Sequence, residues 1–207
     1  MHLPDGILPV EMAVAGYVAS AGLAAICLRR VARLPDPRAG IPRAAMMTAC
    51  FFAASLAAVP VPPTSVHLML AGLMGVMLGW LAPPAILVGL FLQAVLFGHG
   101  GLTTIGLNGL VLGPPALLAY ATWRLLAPRL PTLAALLAGA GSVLAALAIF
   151  AALVLIGLPA EIDAAAERAA LAVFLLAHLP LVIAEGAIVL AVLSVLRRVE
   201  PGLLPRA

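Results

Sequence analysis

Seven apolar runs, too long and too poor in charge for a water-soluble domain, constrain what this chain can become. They span roughly 10–28, 43–60, 67–82, 84–98, 105–126, 132–157 and 168–196. Their lengths approach or exceed the ~17–25 residues that carry a helix across a bilayer. Charged residues make up only 9% of the chain, against about a quarter in soluble domains. The expected class is an all-α integral membrane protein, a bundle of seven transmembrane helices. The third and fourth runs are short and joined by Ala82-Pro83-Pro84. Prolines there leave no room for a long loop, so a tight helical hairpin is expected. Small pairs such as Ala15/Ala19 and Gly16/Ser20 would let membrane helices approach closely.

The arginines set the orientation. Arg29, Arg30, Arg33, Arg38 and Arg43 crowd the first loop, Arg124 and Arg129 follow the fifth run, and Arg197, Arg198 and Arg206 follow the seventh. With seven spans all three groups lie on one side, which the positive-inside rule makes the cytoplasm. Only Arg168, beside Glu161, Asp163 and Glu167, falls on the other side. The amino terminus is then outside and the carboxyl terminus inside. The expected division is a tail over 1–9, a membrane domain over 10–196 and a short cytoplasmic tail over 197–207. The net charge of +3 sits in short loops, so it describes topology and no nucleic-acid partner. There is no Lys, and a Walker A loop requires one. Cys27 and Cys50 both fall within apolar runs and read as core residues without a disulfide.

The chain opens Met1-His2-Leu3-Pro4-Asp5-Gly6. No basic, apolar leader precedes this stretch, so the free amino terminus is expected to be the mature one. Met1 should be retained, because bacterial processing removes Met mainly before small residues. The Met1 amine, the His2 amide nitrogen and His2 Nδ1 can wrap one metal ion in fused five- and six-membered chelate rings. The amide must lose its proton, which suits ions that favour planar nitrogen fields: Ni(II), Cu(II) and low-spin Co(II). One corner stays open. Composition alone reads His2 instead as an exposed residue on a frayed tail.

Orientation places two further histidines on the same outer side. His67 is either an interfacial residue at the start of the third run, where Ser65 or Thr64 could cap the helix, or the fourth ligand. His99 reads as a loop residue or a transient ligand on the entry path. Uncharged Gly/Pro-rich backbone around Pro60–His67 and Gly98–Thr104 can fold back into a bundle where protein satisfies its polar groups. His178 and Glu185 lie seven residues apart in the last run, on one helix face. Buried ionisable residues in a span face the protein interior. The pair reads as a packing hydrogen bond or as a proton or metal relay. Gln93 and Asn108 could orient the rings or tie loops to helices. HExxH, G-x-S-x-G and GxGxxG are all absent, so no enzymatic signature is present.

Taken in order, these stretches resemble the CbiM/NikM family, the substrate-binding membrane subunits of cobalt and nickel transporters of the energy-coupling-factor (ECF) type. The matching residues are Met1-His2-Leu3-Pro4-Asp5-Gly6, Thr64-Ser65-Val66-His67-Leu68, Leu92-Gln93-Ala94-Val95-Leu96-Phe97, Gly100-Gly101-Leu102-Thr103-Thr104-Ile105-Gly106-Leu107-Asn108, His178-Leu179-Pro180, Glu185-Gly186 and Glu200-Pro201. The resemblance implies a seven-helix bundle with the amino-terminal tail inserted into its core. It implies a square-planar site from the Met1 amine, the His2 amide and imidazole, and His67. The Gln93 and Asn108 regions would be the shell and loops that close over it. The implied partners are a transmembrane coupling subunit, a pair of cytoplasmic ATPases and a small accessory membrane subunit. His99 stands where the family usually has Asp, and Leu68-Met69-Leu70 is less Gly-rich than the family pattern.

The leading reading is therefore a substrate-capture subunit for Ni2+ or Co2+ import in the bacterial inner membrane. The ion is cargo and not a cofactor, and ATP is hydrolysed on other chains. The alternative is a stand-alone secondary permease with a path through His178 and Glu185. Planar geometry and the Pro-Asp-Gly amino terminus tilt the reading towards nickel, although affinity order alone would favour copper.

Overall fold

The computed structural model describes residues 2–61, 64–157 and 164–204. Helix α1 (Val10–Val31) begins directly behind Pro9, and α2 (Ile41–Leu56) begins with Pro42 in its first turn. The strands β1 (Ala58–Val61) and β2 (Thr64–His67) follow as an antiparallel pair with Ala58 opposite His67. Next come α3 (Ala71–Leu78), a single 3-10 turn at Gly79–Leu81, and α4 (Ala82–Phe97). Helices α5 (Ile105–Leu126), α6 (Pro131–Gly157), α7 (Ala164–Ala177) and α8 (Leu179–Val199) complete the bundle. α5 is the hub, packed against α1, α3, α4 and α6, and α8 closes on α6.

Large apolar side chains face outward all around the bundle. Val18 is 70% exposed, and Ile156 and Ile183 are both 76% exposed. A surface of that kind is stable in hydrocarbon and not in water, so the chain is a multi-pass membrane protein. Its helices meet through small residues. On α1, Gly16 and Ser20 are buried and the Ser20 hydroxyl donates to the Gly106 carbonyl at 2.6 Å. Ala15 and Ala19 face outward instead.

Several expectations change. Among the described residues five helical runs are long and apolar enough to cross a membrane: Val10–Val31, Ala71–Phe97, Ile105–Leu126, Pro131–Gly157 and Arg168–Val199. Seven are counted from sequence because α2, of 16 residues, and the two arms of Ala71–Phe97 are scored separately. Each of these three helices is shorter than the ~20 residues of a full span. The hairpin does fold back, but at Gly79 (φ +55°) and not at the prolines. Pro83 and Pro84 lie in the first turn of α4, where a missing N–H costs nothing. The last run breaks at His178, two residues before Pro180.

The all-α expectation also needs correction at β1–β2. α2 stops at Leu56 and not at residue 60. Val59-Pro60-Val61 and Thr64-Ser65-Val66 combine β-branched residues with proline, a mixture that leaves helix and fits a short hairpin. Consequently Thr64 and Ser65 lie in β2 and do not cap a helix at His67. α3 starts at Ala71, and its N-cap is Leu70, without a side-chain cap of its own.

The bundle has two distinct ends. Trp80, in the Gly79–Leu81 turn, lies under the Arg30 guanidinium at 5.3 Å. A cavity of about 360 Å³ there is lined by Arg30, Arg43, Trp80, Tyr120 and Arg124. At the opposite end of the hairpin, the residue before α3's lead-in and the second residue after α4, His67 and His99, come together.

Candidate metal centre

Three histidines from three separate stretches converge. The ring centroids of His2 and His67 lie 4.9 Å apart, those of His2 and His99 4.7 Å, and those of His67 and His99 5.1 Å. One nitrogen from each lies within 4.8 Å of the others. His2 Nδ1 is 3.1 Å from His67 Nε2. His67 Nδ1 lies 3.1 Å from the Leu68 carbonyl. Nδ1 is thereby committed as a donor, and the Nε2 lone pair is turned towards His2. His2 Nε2 and His99 Nε2 are buried without a hydrogen-bond partner.

Burial pushes all three imidazoles below their ordinary value. His2 falls well below it, through burial first, with His67 and His99 adding to the effect and the Gln93 amide opposing it. His67 is pushed down to about 3, again chiefly by burial. His99 moves the same way for the same cause. Neutral imidazoles, each with a lone pair to give, are the protonation state that a transition metal ion requires.

The tail is held by a set of bonds that reads its backbone. Leu3 is 1% exposed. Its N–H donates to Asn108 Oδ1 at 2.8 Å, and its carbonyl accepts from Asn108 Nδ2 at 3.1 Å. One side-chain amide thus pairs with both polar groups of one residue, as a neighbouring strand would. The Thr104 hydroxyl donates to the same carbonyl at 2.7 Å. Two residues on, the Asp5 carboxylate accepts from the N–H groups of Leu102 (3.1 Å) and Thr103 (3.0 Å) and from the Thr103 hydroxyl (2.5 Å). It sits just before α5, where the exposed amides and the helix dipole favour an anion. These bonds, the Thr103 hydroxyl first, hold the Asp5 carboxyl below its usual range. The Tyr17 hydroxyl donates to the Leu102 carbonyl and braces the loop from α1.

The two glycines at 100 and 101 make this fit possible. Gly100 has φ +83°, and a Cβ at Gly101 would run into the Asp5 carboxylate.

The other residues singled out by sequence fall as follows. Gln93 is fully buried on α4, donates to the Ser55 hydroxyl at 2.7 Å, and lies close enough to His2 to influence its proton affinity. Asn108 holds the tail and not a ring. Ser65 is on β2, paired with Pro60. Met1 lies outside the described residues. His178 and Glu185 are both buried, but their bonds go elsewhere. His178 Nδ1 pairs with the Phe174 carbonyl at 2.8 Å, and Glu185 Oε1 accepts from the Met69 and Leu70 amides. Sequence reasoning missed Leu3, Asp5 and Thr104 as site-building residues. The signal was available, because Leu3 and Asp5 lie one and three residues after His2 and Thr104 stands four residues before Asn108.

The geometry can therefore hold a divalent ion among imidazole nitrogens beside the amino terminus. Comparison with known proteins points the same way. A family model described as the cobalt uptake substrate-specific transmembrane region, CbiM, matches residues 2–203. A cobalt transport protein CbiM of Sorangium cellulosum is 31% identical over 214 residues, covering 100% of this chain and 95% of that protein. A fused nickel transport protein NikMN of Rhodobacter capsulatus is 38% identical over 120 residues, 55% of this chain and 34% of that protein. A solved structure described as a transition metal transporter superposes with a TM-score of 0.81 at 25% identity, covering 97% of this chain and 94% of that one.

Proposed function

Because the chain belongs to the CbiM family of cobalt uptake transmembrane proteins, we propose that it is the substrate-capture subunit of a cobalt or nickel uptake transporter. It is a transport protein and not an enzyme. In this reading residues 1–9 are the chelating arm, 10–196 the membrane domain and 197–207 a cytoplasmic tail in the bacterial inner membrane. The ion is held by the Met1 amine, the His2 amide nitrogen and Nδ1, and His67 Nε2.

The observation that carries this reading is the 3.1 Å approach of His2 Nδ1 to His67 Nε2. With metal–nitrogen bonds of about 2 Å, adjacent corners of a square lie about 2.8 Å apart. The fourth ligand of an amino-terminal chelate is adjacent to the imidazole, and His67 occupies that place. His99, at the rim of the same cluster, serves as a transient ligand during entry.

The seven-span, amino-terminus-out orientation is supported by the separation of the ends, with the histidines at one and Arg30, Arg43 and Arg124 at the other. In this reading energy comes from partner chains, a coupling membrane subunit and an ATPase pair with a small accessory subunit; the sequence itself, without Lys, carries no Walker A loop. The competing permease reading would have to run through His178 Nε2 and Glu185 Oε2, which are buried without a hydrogen-bond partner, since Glu185 Oε1 and His178 Nδ1 are committed to backbone groups.

The test is metal content and an optical spectrum on protein tagged only at its carboxyl end, beside a variant with one Leu, too large to permit removal of Met1, inserted between Met1 and His2. One equivalent of nickel or cobalt in the parent, lost or spectrally altered on insertion, is expected. Equal metal in both would move the site to the inner residues. Uptake by the lone protein in liposomes without ATPases would favour the permease.

A further inference from the structure

The lead-in to α3 is the least regular piece of backbone near the site. β2 ends at His67, and three residues, Leu68-Met69-Leu70, carry the chain down to Ala71. Leu70 has φ +48°, the one non-glycine among the described residues with positive φ. A Leu in that region is strained and persists only where its surroundings over-determine it. Met69 (1% exposed) and Leu70 (7%) are buried there, where unpaired amides would be costly. One group satisfies both. Glu185 Oε1, from α8, accepts from the Met69 N–H at 2.6 Å and the Leu70 N–H at 2.9 Å.

That carboxylate is itself held in a rigid place. A Cβ on Gly139 of α6 would strike the Glu185 carbonyl, and one on Gly72 of α3 would lie 2.7 Å from the Ala138 carbonyl. Thus α3, α6 and α8 meet backbone to backbone beside the latch. The strained turn is continuous with the group that orients the ligand, since the Leu68 carbonyl is the partner of His67 Nδ1.

We propose that Glu185 is a positioning residue for the His67 ligand, its carboxylate fixing the Leu68–Leu70 turn so that the imidazole meets the amino-terminal chelate at the fourth corner. The inference rests on the reading of His67 as that ligand. It gives a buried acid, far along the chain, a role through hydrogen-bond acceptance and not through charge relay.

The experiment uses the full chain with Ni2+ as probe, reading affinity and the ligand-field absorption band. His67→Ala should shift the band to longer wavelength as one nitrogen donor is lost. Glu185→Leu should shift it in the same direction and weaken affinity by about 10–100-fold, the range for residues that orient ligands. The double variant should bind no more weakly than His67→Ala alone. Glu185→Gln keeps an acceptor oxygen and should retain the parent band. If Glu185→Leu does not fold, Glu185→Asp takes its place, since a carboxylate one methylene shorter cannot span both amides and should shift the band likewise. A parent-like band in Glu185→Leu or Glu185→Asp, full additivity in the double variant, or loss in Glu185→Gln equal to that in Glu185→Leu would each overturn the inference. An unshifted band in His67→Ala would instead overturn the ligand assignment beneath it.

Discussion

At one end of the bundle, Leu3 and Asp5 are held by named donors and acceptors on Asn108, Leu102, Thr103 and Thr104. At the other end, Arg30 and Arg124 lie over the Trp80 and Tyr120 rings at 5.3 and 5.8 Å, and Arg197 lies over Trp123 at 5.8 Å. The first end depends on direction, with each bond specifying a residue and an angle. The second depends on charge and area, which tolerate a shift of an ångström. Function that selects an ion by geometry belongs at the first end, and function that sets orientation in a membrane by total charge belongs at the second. The difference predicts that single substitutions should be severe at the histidine end and mild at the arginine end.

The largest effect should follow His2→Ala, which removes a chelate ring. Nickel affinity should fall by at least about 10³-fold, or about 4 kcal/mol, measured by competition with a chromogenic chelator. A loss below tenfold would place the ion elsewhere and erase the contrast between the ends.

The pH dependence sharpens the same contrast. The imidazoles are pushed down by burial, His67 to about 3, so at neutral pH they offer few protons for a metal to displace. The protons released on binding should be those of the Met1 amine, with an ordinary pKa of about 8, and of the His2 amide. Between pH 7 and 6 the apparent affinity should therefore fall about 100-fold, two protons' worth. A site built from imidazoles alone would be nearly flat there. The metal-free site has its own dependence. Because the folded-state imidazole pKa values lie below the unfolded value of about 6.5, the unfolded form binds more protons. Stability is then full above pH 6.5 and declines as pH falls from there towards His67's value.

Asn108→Leu should come next. It keeps the volume and removes the amide that pairs with both polar groups of Leu3. The arm should still chelate, but from a less ordered start, so affinity should drop about 10–100-fold with an unshifted band. A shifted band would mean that Asn108 touches the ion's field directly.

What could be read from the chain divides along the same line. Membrane class followed from the apolar runs, because burial against lipid depends on composition more than on partners. His2 and His67 could be read as candidate ligands because chelate-ring chemistry is local and any outer-side donor is a candidate for the fourth corner; the structure brings the two rings together. The β1–β2 hairpin was hidden because Val-Pro-Val scores as apolar whether it is helical or extended. α3's late start at Ala71 was hidden because Leu68-Met69-Leu70 suits a helix locally, and the non-helical turn, with Leu70 at positive φ, is bonded to Glu185, 115 residues away. Asp5 and Leu3 looked like tail residues because their partners lie about a hundred positions on.

The smallest effect is the one that closes the comparison. Arg124 lies 5.8 Å from the Tyr120 ring centre, its Nη1 is 3.4 Å from the Tyr120 hydroxyl, and it is exposed. An exposed cation–π contact contributes about 0.5–1 kcal/mol, so Arg124→Gln should lower thermal stability by no more than that. Nickel affinity and the absorption band should stay unchanged within about twofold, well under 1 kcal/mol, because the Arg124 side chain contacts Tyr120 and not the histidines. Orientation should also survive, since the remaining arginines of that end still outnumber Arg168 on the far side and topology follows the summed bias. A change in the metal spectrum of this variant would show that the two ends are mechanically coupled through α5, which carries both Asn108 and Arg124. In that case the arginine end would have to be read as part of the transport device and not only as its anchor.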